Sequence, residues 1–285
     1  MLLSVKELCP ALGAEVIGLD VAAPMNDEVF GEIRAALCAH DGVLVLRDQH
    51  LTPEQHIVFS RRFGELFGDR EQLQDSVTKY LLPGYPQIFR ASNKILDGEQ
   101  QGRSRAGNYW HSDVSFRQRS AMVSLLYAIE LPPFGGDTLF TNMYKAFEGL
   151  SPTMQQFLEG LRARHDFAVN TNLGCAHETI AQRDLEGANS CDHPVVRTHG
   201  DSGRKCLFVN PGNTAFIEGM HADESRLLLE FLYQHSVRPE YIYRHRWAEG
   251  DLMIWDNRCT MHYAVVDYDG DRYMHRTTVI GERPV

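Results

Sequence analysis

His111 and Asp113 are the first residues whose types and spacing could do chemistry, because only Ser112 separates them. We predict a strand over residues 109–116, and alternate side chains of a strand point to the same face. The two side chains could then reach one metal ion. A second imidazole would complete the two-histidine, one-carboxylate face that binds non-haem Fe(II). The chain has 13 histidines, so a chance tripeptide is the alternative.

A second imidazole stands far downstream, at His262. It closes the segment Trp255-Asp256-Asn257-Arg258-Cys259-Thr260-Met261-His262, which follows an apolar stretch. We expect it on a strand that closes a barrel, where it could be the third ligand. The alternative is a core histidine with satisfied hydrogen bonds, which is the more frequent role of a lone histidine beside an apolar run.

Two further segments could bind anions. Gly135-Gly136-Asp137-Thr138 reads as a tight turn that enters a strand, and Thr138 offers a hydroxyl donor to a carboxylate. Arg272 and Arg276 would share a face of one predicted strand at a separation of roughly 13 Å. That distance is too long for one carboxylate, so two inward arginines would bind two separate anions. The alternatives are that one or both point to solvent, or that an internal carboxylate pairs with Arg276.

Composition excludes several classes of protein. The net charge of −10 argues against a nucleic-acid partner, which selects basic surfaces. No segment has the length of a membrane span, and residues 1–16 do not resemble a signal peptide. The six cysteines form no Cys-x-x-Cys pair, which is typical of reduced thiols in a cytoplasmic protein.

The chain reads as one domain over residues 1–285, mainly β with peripheral helices. A helix is predicted to begin at Ser151-Pro152 and to reach about Arg164. The segment from Gly68 to Gly107 lacks a regular pattern, and we expect a lid there. The predicted strands beyond it are short and numerous: Tyr109–Phe116, Met122–Glu130, Thr138–Asn142, Val195–Thr198, Lys205–Val209, Tyr241–Trp247, Asp251–Trp255, Thr260–Ala264 and Arg272–Ile280.

Taken together, these segments resemble the TauD/TfdA family of Fe(II)/2-oxoglutarate-dependent dioxygenases. The similarity covers nearly the whole chain, in order. It rests on four groups of residues: Trp110–Phe116, Gly135–Phe140, Trp255–Arg258 with His262, and Arg272–Arg276. The resemblance implies a double-stranded β-helix (jelly-roll) core and a homo-oligomer. It also implies that His111, Asp113 and His262 bind iron.

The resemblance further implies that Thr138 and Arg272 hold the distal carboxylate of 2-oxoglutarate. Arg276 matches a position that binds the acidic group of the substrate, and Val114 and Phe116 match positions beside the substrate. Asn213 is a fourth substrate-binding candidate. It stands where sulfonate-using members place a phenylalanine.

The sequence also lacks the histidine that sulfonate-using members carry soon after Phe-Gly-Glu-Leu, here Phe63–Leu66. We therefore expect an Fe(II)/2-oxoglutarate-dependent dioxygenase that uses O2 and releases succinate and CO2. Its expected substrate is a small organic anion, such as a carboxylate or an aryloxy or alkyl acid. A sulfonate, a sulfate or an amino-acid derivative is the alternative within the family. A Zn-dependent hydrolase and a non-catalytic small-molecule-binding barrel are the alternatives outside it.

Overall fold

The computed structural model describes residues 3–70, 75–169 and 189–285. Its main sheet has eight strands, which are numbered in chain order along the sequence. Their spatial order is β1 (Val5–Glu7), β2 (Ala14–Val16), β3 (Val43–Leu46), β16 (Leu252–Asp256), β8 (Ala121–Glu130), β18 (Tyr273–Ile280), β5 (Tyr85–Ser92) and β4 (Leu81–Leu82). Only β2 and β3 pair in parallel, and the other neighbours in this sheet pair antiparallel.

A three-stranded sheet faces the main sheet, in the order β15 (Ile242–His245), β9 (Thr138–Asn142) and β17 (Thr260–Ala264). Phe140 of β9 packs across the interior against Trp255 and Met274 of the main sheet. Smaller sheets make up the rest of the β structure that is described: β11 (Ser190–Pro194) with β10 (Arg162–Asp166) and β14 (Thr214–Ile217), β12 (Val196–Thr198) with β13 (Lys205–Leu207), and β6 (Ile95–Leu96) with β7 (Glu99–Gln100).

Helices cover the outer faces. Residues of α1 (Asp27–Ala39) and α2 (Pro53–Arg61) pack on the outer side of the main sheet. A capping box opens α2, because the side chains of Thr52 and Gln55 each accept a hydrogen bond from the other's backbone N–H. The remaining α-helices in the described parts of the chain are α3 (Asp75–Thr78), α4 (Met143–Glu148), α5 (Pro152–Leu158) and α6 (Ala222–Ser236). Among the described residues, no helix is both long and apolar enough to cross a membrane.

Strands β9 and β17 have the predicted bounds, but the predicted strand over residues 109–116 is wrong. Only His111 makes a β-bridge, and a turn follows it. Two features end the pairing. Val114 adopts the left-handed backbone region with φ 54°, and the Asp113 N–H donates to the Asn257 side chain instead of a neighbouring strand.

Two other expectations are corrected. The helix that begins at Pro152 ends at Leu158, because Gly160 adopts φ 90° and the chain then enters β10. The segment 68–107 is not irregular throughout, since Tyr85–Ser92 pairs with β18 as a strand of the main sheet. The alternating buried side chains Ile88, Arg90 and Ser92 explain this placement. Whether the rest of the segment moves as a lid stays a prediction.

Candidate active site

His111 and His262 lie next to each other on neighbouring backbone segments. Their backbones exchange two hydrogen bonds, from the His111 N–H to the His262 oxygen (3.1 Å) and from the His262 N–H to the His111 oxygen (2.8 Å). This bridge extends the edge of β17 and brings the ring centroids to 4.1 Å. The two residues are 151 positions apart in the sequence, so they come together only when the barrel closes.

Asp113 faces both imidazoles from the turn after His111. Its Oδ1 lies 3.7 Å from His111 Nε2 and its Oδ2 lies 3.9 Å from His262 Nε2. All three side chains are buried, and their ligating atoms lie within 4.8 Å of one another. The predicted convergence therefore holds, although a turn produces it and not strand alternation. The three residues could hold one divalent cation.

A hydrogen-bonded network fixes Asp113. Ser124 Oγ donates to Asp113 Oδ2 at 2.7 Å, and Asn257 Nδ2 donates to Ser124 Oγ at 2.9 Å. Asn257 Oδ1 in turn accepts from the Asp113 backbone and from Trp255 Nε1. His111 Nδ1 bonds the Tyr109 carbonyl at 2.8 Å, which leaves Nε2 as the free ring nitrogen on the metal side.

The protonation states suit a metal. Burial lowers the pKa of His111, and burial with the neighbouring His111 lowers the pKa of His262 well below its usual value. Burial acts to raise the pKa of Asp113, but the Arg276 guanidinium and the hydrogen bond from Ser124 outweigh it and bring that pKa to about 2. Two neutral imidazoles and one carboxylate are the donor set expected for non-haem Fe(II).

Thr138 and Arg272 meet around the indole of Trp247. Trp247 Nε1 donates to Thr138 Oγ1 at 3.0 Å, and Arg272 Cζ lies 6.0 Å from the indole centroid. Arg272 is buried, yet its guanidinium has no ion pair or hydrogen bond among the described residues, and its Nε is buried without a partner. Burying an arginine without a counter-charge is costly. The pair therefore suits a carboxylate ligand.

Gly136 allows the close approach of Arg272. It adopts φ 71°, and a Cβ there would lie 3.3 Å from Arg272 Cδ and Nε. The Gly135-Gly136 pair thus forms the turn and also leaves room for the Arg272 side chain. Strand alternation does not place Arg272, however, because β18 begins at Tyr273 and its pairing with β8 shifts between Tyr273 and Met274.

Arg276 lies on the wall of a separate cavity. Val114, Phe116, Phe67 and Phe89 contribute to its mainly apolar lining, and its volume is about 120 Å³. Cavities of about 150 Å³ take up benzene. Val114 and Phe116, which are expected beside the substrate, both line this cavity, whereas Arg272 lines a different one.

Arg276 has a counter-charge within the protein. Arg276 Nη1 donates to Asp113 Oδ1 at 2.7 Å, so a protein carboxylate already supplies a counter-charge. This is the internal pairing that the sequence left open. Arg276 Nε stays buried without a partner among the described residues.

Asn213 does not contribute to the described lining of this cavity. Its backbone N–H donates to Asn210 Oδ1, and its side-chain amide donates to the Ser112 carbonyl at 3.4 Å. Because Ser112 lies between two candidate metal ligands, Asn213 supports the ligand turn and does not face the substrate cavity.

A second cluster, His199, Asp256 and Cys259, also has its ligating atoms within 4.8 Å of one another. Asp256 is already engaged, since Arg258 donates to it at 2.6 Å and His199 Nε2 lies 3.1 Å from it. These bonds hold the turn between β16 and β17. Within the Trp255–Arg258 segment, Asn257 thus supports the metal-ligand turn, and Asp256 holds the turn between β16 and β17.

Sequence reasoning assigned no function to Ser124, Asn257 and Trp247. Ser124 had a signal, since it is a polar residue inside the apolar strand Ala121–Glu130. Asn257 lay in a quoted motif without an assigned contact. Trp247 had none, because its contact with Thr138 joins positions 109 residues apart.

The fold and this site define a non-haem metal-dependent oxygenase with a jelly-roll core. Residues 4–278 match the family described as Taurine catabolism dioxygenase TauD, TfdA family. An alpha-ketoglutarate-dependent 2,4-dichlorophenoxyacetate dioxygenase of Cupriavidus pinatubonensis is 36% identical over 286 residues, which cover 98% of each chain.

Solved structures also resemble this chain over nearly its whole length. A taurine dioxygenase from Burkholderia xenovorans matches with a TM-score of 0.82 and 34% identity, over 100% of this chain and 91% of that one. A crystal structure of AAD-2 in complex with Mn(II) and N-oxalylglycine matches with a TM-score of 0.82 and 31% identity, over 100% and 99%.

The chain belongs to the TauD/TfdA family, and it is an Fe(II)/2-oxoglutarate-dependent dioxygenase. The expected double-stranded β-helix is confirmed. The alternatives outside the family, a Zn-dependent hydrolase and a non-catalytic barrel, are thereby set aside.

Proposed function

We propose that His111, Asp113 and His262 bind the Fe(II), and that Arg272 and Thr138 bind the distal carboxylate of 2-oxoglutarate. The converging ligand atoms support the first assignment. The buried, unpaired guanidinium of Arg272 beside the Thr138 hydroxyl supports the second. His111→Ala should abolish both Mn(II) binding and metal-dependent turnover.

When bound, the iron with 2-oxoglutarate and O2 supplies the oxidising step, which yields succinate, CO2 and an oxidised substrate. The residues of the protein position the metal ligand and exclude water. Ser124 and Asn257 hold the Asp113 carboxylate, and the aromatic walls of the cavity keep water away from the substrate carbon.

The substrate class we propose is an apolar carboxylate, such as an aryloxyalkanoate. One observation carries this proposal: Arg276 stands at the border between the aromatic cavity and Asp113. A ring between Phe116 and Phe89 would place its carboxylate on Arg276 and an adjacent carbon near the metal ligands. The relative that acts on 2,4-dichlorophenoxyacetate supports the same class.

A sulfonate or sulfate ester is the second candidate, because a guanidinium also binds oxyanions other than carboxylates. The taurine dioxygenase structure favours it. No histidine is present in the described lining of the cavity, which favours the carboxylate.

Coupled succinate release separates the candidates. We expect phenoxyacetate and 2,4-dichlorophenoxyacetate to stimulate it, and taurine to leave it at the substrate-free rate. Stimulation by taurine and not by the aryloxyacetates would reverse the order of the two candidates.

Two arginine variants test the assignments. Arg276→Met should raise the KM for phenoxyacetate at least about 30-fold, which corresponds to losing one charged hydrogen-bonding partner. It should leave 2-oxoglutarate affinity, read from the absorption band of the anaerobic Fe(II) complex, nearly unchanged. Arg272→Met should do the reverse. Equal loss of 2-oxoglutarate binding in both variants would refute the division.

We further propose that the enzyme is cytoplasmic and forms a homo-oligomer. The five cysteines in the described part of the chain are free thiols, which supports a reducing compartment. Phe157, Leu227 and Phe231 are exposed on one apolar face of α5 and α6, which supports association of copies. Light scattering of the purified protein tests the second point, and a monomer would contradict it.

A further inference from the structure

The ion pair between Arg276 and Asp113 connects the substrate cavity to the metal ligands. Arg276 Nη1 lies 2.7 Å from Asp113 Oδ1, and the same oxygen lies 3.7 Å from His111 Nε2. The Asp113 side chain is 4% exposed and that of Arg276 is 23% exposed. A divalent ion held by His111 and His262 would therefore share its carboxylate with a guanidinium.

Two cations that share one buried carboxylate weaken each other's hold on it. Charges within about 4–6 Å shift ionic equilibria at such sites by roughly 1–3 powers of ten. Ser124 already donates a hydrogen bond to Oδ2, the second oxygen of the carboxylate. Asp113 therefore cannot offer one fully free oxygen to the metal and the other to Arg276. When the cavity is empty, Arg276 should therefore lower the affinity of the site for the metal ion.

Arg276 can also accept a second anion. Its Nε is buried without a partner among the described residues, and its Cζ lies 5.0 Å from the Phe89 ring in the cavity wall. A guanidinium has five N–H donors in a planar fork. A carboxylate in the cavity could bind the donors that Asp113 leaves free.

We propose that Arg276 is an electrostatic link, through which an organic anion in the cavity strengthens the hold of Asp113 on the metal. The anion neutralises the guanidinium, so the carboxylate serves the metal alone. Reciprocity then requires that the bound metal strengthens anion binding by the same factor. The link rests on the proposed function in one respect, namely that the cavity takes an organic anion.

Mn(II) binding to the metal-free protein, followed by EPR of the free ion, tests the link with phenoxyacetate as the anion. In the wild type, saturating phenoxyacetate should lower the Mn(II) Kd at least fivefold. Arg276→Met should bind Mn(II) at least fivefold tighter than the wild type, and phenoxyacetate should no longer change that Kd. Arg276→Lys keeps the charge and should bind Mn(II) more weakly than Arg276→Met. Arg117→Met removes a charge from the same cavity and should change the Kd less than twofold.

Weaker Mn(II) binding by Arg276→Met, with thermal unfolding as in the wild type, would overturn the proposal, because the arginine would then only hold Asp113 in place. Phenoxyacetate that binds, by calorimetry, without changing the wild-type Mn(II) Kd would also overturn it. If phenoxyacetate does not bind at all, the proposed substrate class fails instead. The Mn(II) affinity of Arg276→Met alone then decides: tighter binding supports the opposition between the two cations, and equal or weaker binding refutes it.

Discussion

The indole of Trp247 donates a hydrogen bond to Thr138 Oγ1 at 3.0 Å, and so fixes the hydroxyl on the side of the barrel where Arg272 is buried. Thr138 accepts the indole proton, which leaves its own hydroxyl proton free to donate to a carboxylate. The threonine is thus oriented as a donor before any ligand arrives, and such preorganisation lowers the entropic cost of binding.

We predict that Gly136→Ala weakens 2-oxoglutarate binding about tenfold. The new Cβ would press on Arg272 and on Tyr268, at 3.2–3.3 Å, and displace the guanidinium. The matched control is Gly203→Ala, since Gly203 adopts φ 69° but no atom of the described residues would lie within 4 Å of its Cβ. Both variants should lose about 1 kcal/mol of unfolding free energy from the left-handed backbone.

Titration of 2-oxoglutarate into the anaerobic Fe(II) protein provides the affinity, and urea unfolding provides the stability. If Gly203→Ala weakened 2-oxoglutarate binding as much as Gly136→Ala, backbone strain and not the contact with Arg272 would explain the loss.

We predict that Ser124→Ala lowers Mn(II) affinity by 10–100-fold, as loss of a partner that orients a metal ligand does in other sites. Ser124 donates to Asp113 Oδ2 and accepts from Asn257, so the substitution releases both. Ser120→Ala is the control, because Ser120 Oγ is similarly buried just before β8 but has no hydrogen-bond partner among the described residues. A matching loss in Ser120→Ala would show that general packing, and not the bond to Asp113, sets the affinity.

The metal-ligand set was predictable from the sequence, although the element that carries it was not. His111, Asp113 and His262 were found by type, spacing and resemblance, and they converge. The predicted strand failed because Val114 adopts a backbone conformation that β-branched residues rarely take. Such strain is imposed by long-range contacts, here the bond from Asp113 to Asn257, and no local pattern reports it.

The counter-charge of Arg276 was not predictable either. Strand parity placed Arg276 on the inner face of β18, where it lines the cavity. Which carboxylate reaches that face depends on how the turn after His111 packs, and that turn is held by the distant residues Ser124 and Asn257.

We predict that acid destabilises the metal-free protein below about pH 6.5, through buried neutral histidines. Burial lowers the pKa of His56 and His165 to about 3, and that of His193 and His275 to about 4. In the unfolded chain these groups titrate near 6.5. Between about pH 6.5 and 4 the unfolded chain binds more protons, so the free energy of unfolding falls as the pH falls.

Urea unfolding at pH 7.5 and 5.5, with chelator present, measures the effect. Each histidine contributes at most about 1.4 kcal/mol per pH unit. His56→Gln should show a shallower pH dependence than the wild type. The lowered pKa of Asp113 affects the free energy of unfolding only below about pH 4, so it does not change the comparison between pH 7.5 and 5.5. Equal stability at the two pH values would contradict the prediction.

We predict that only part of the segment 68–107 behaves as a lid. Phe89–Ser92 pair with β18, and the N–H groups of Arg90 and Ser92 donate to backbone oxygens on the other side, so these four amides should be protected from hydrogen exchange with or without ligands. Residues 93–107 reach the metal site directly, since a Cβ on Gly107 would lie 2.8 Å from His111 Cε1 and the Gly107 oxygen accepts from Ala264. Their amides should exchange at least about tenfold more slowly when Mn(II), 2-oxoglutarate and phenoxyacetate are added, because closure over a filled site stabilises such segments. Strand β8, at the centre of the main sheet, is the internal reference and should not change. Strong and equal protection of residues 93–107 in both states would show that this part of the segment is a fixed wall of the barrel.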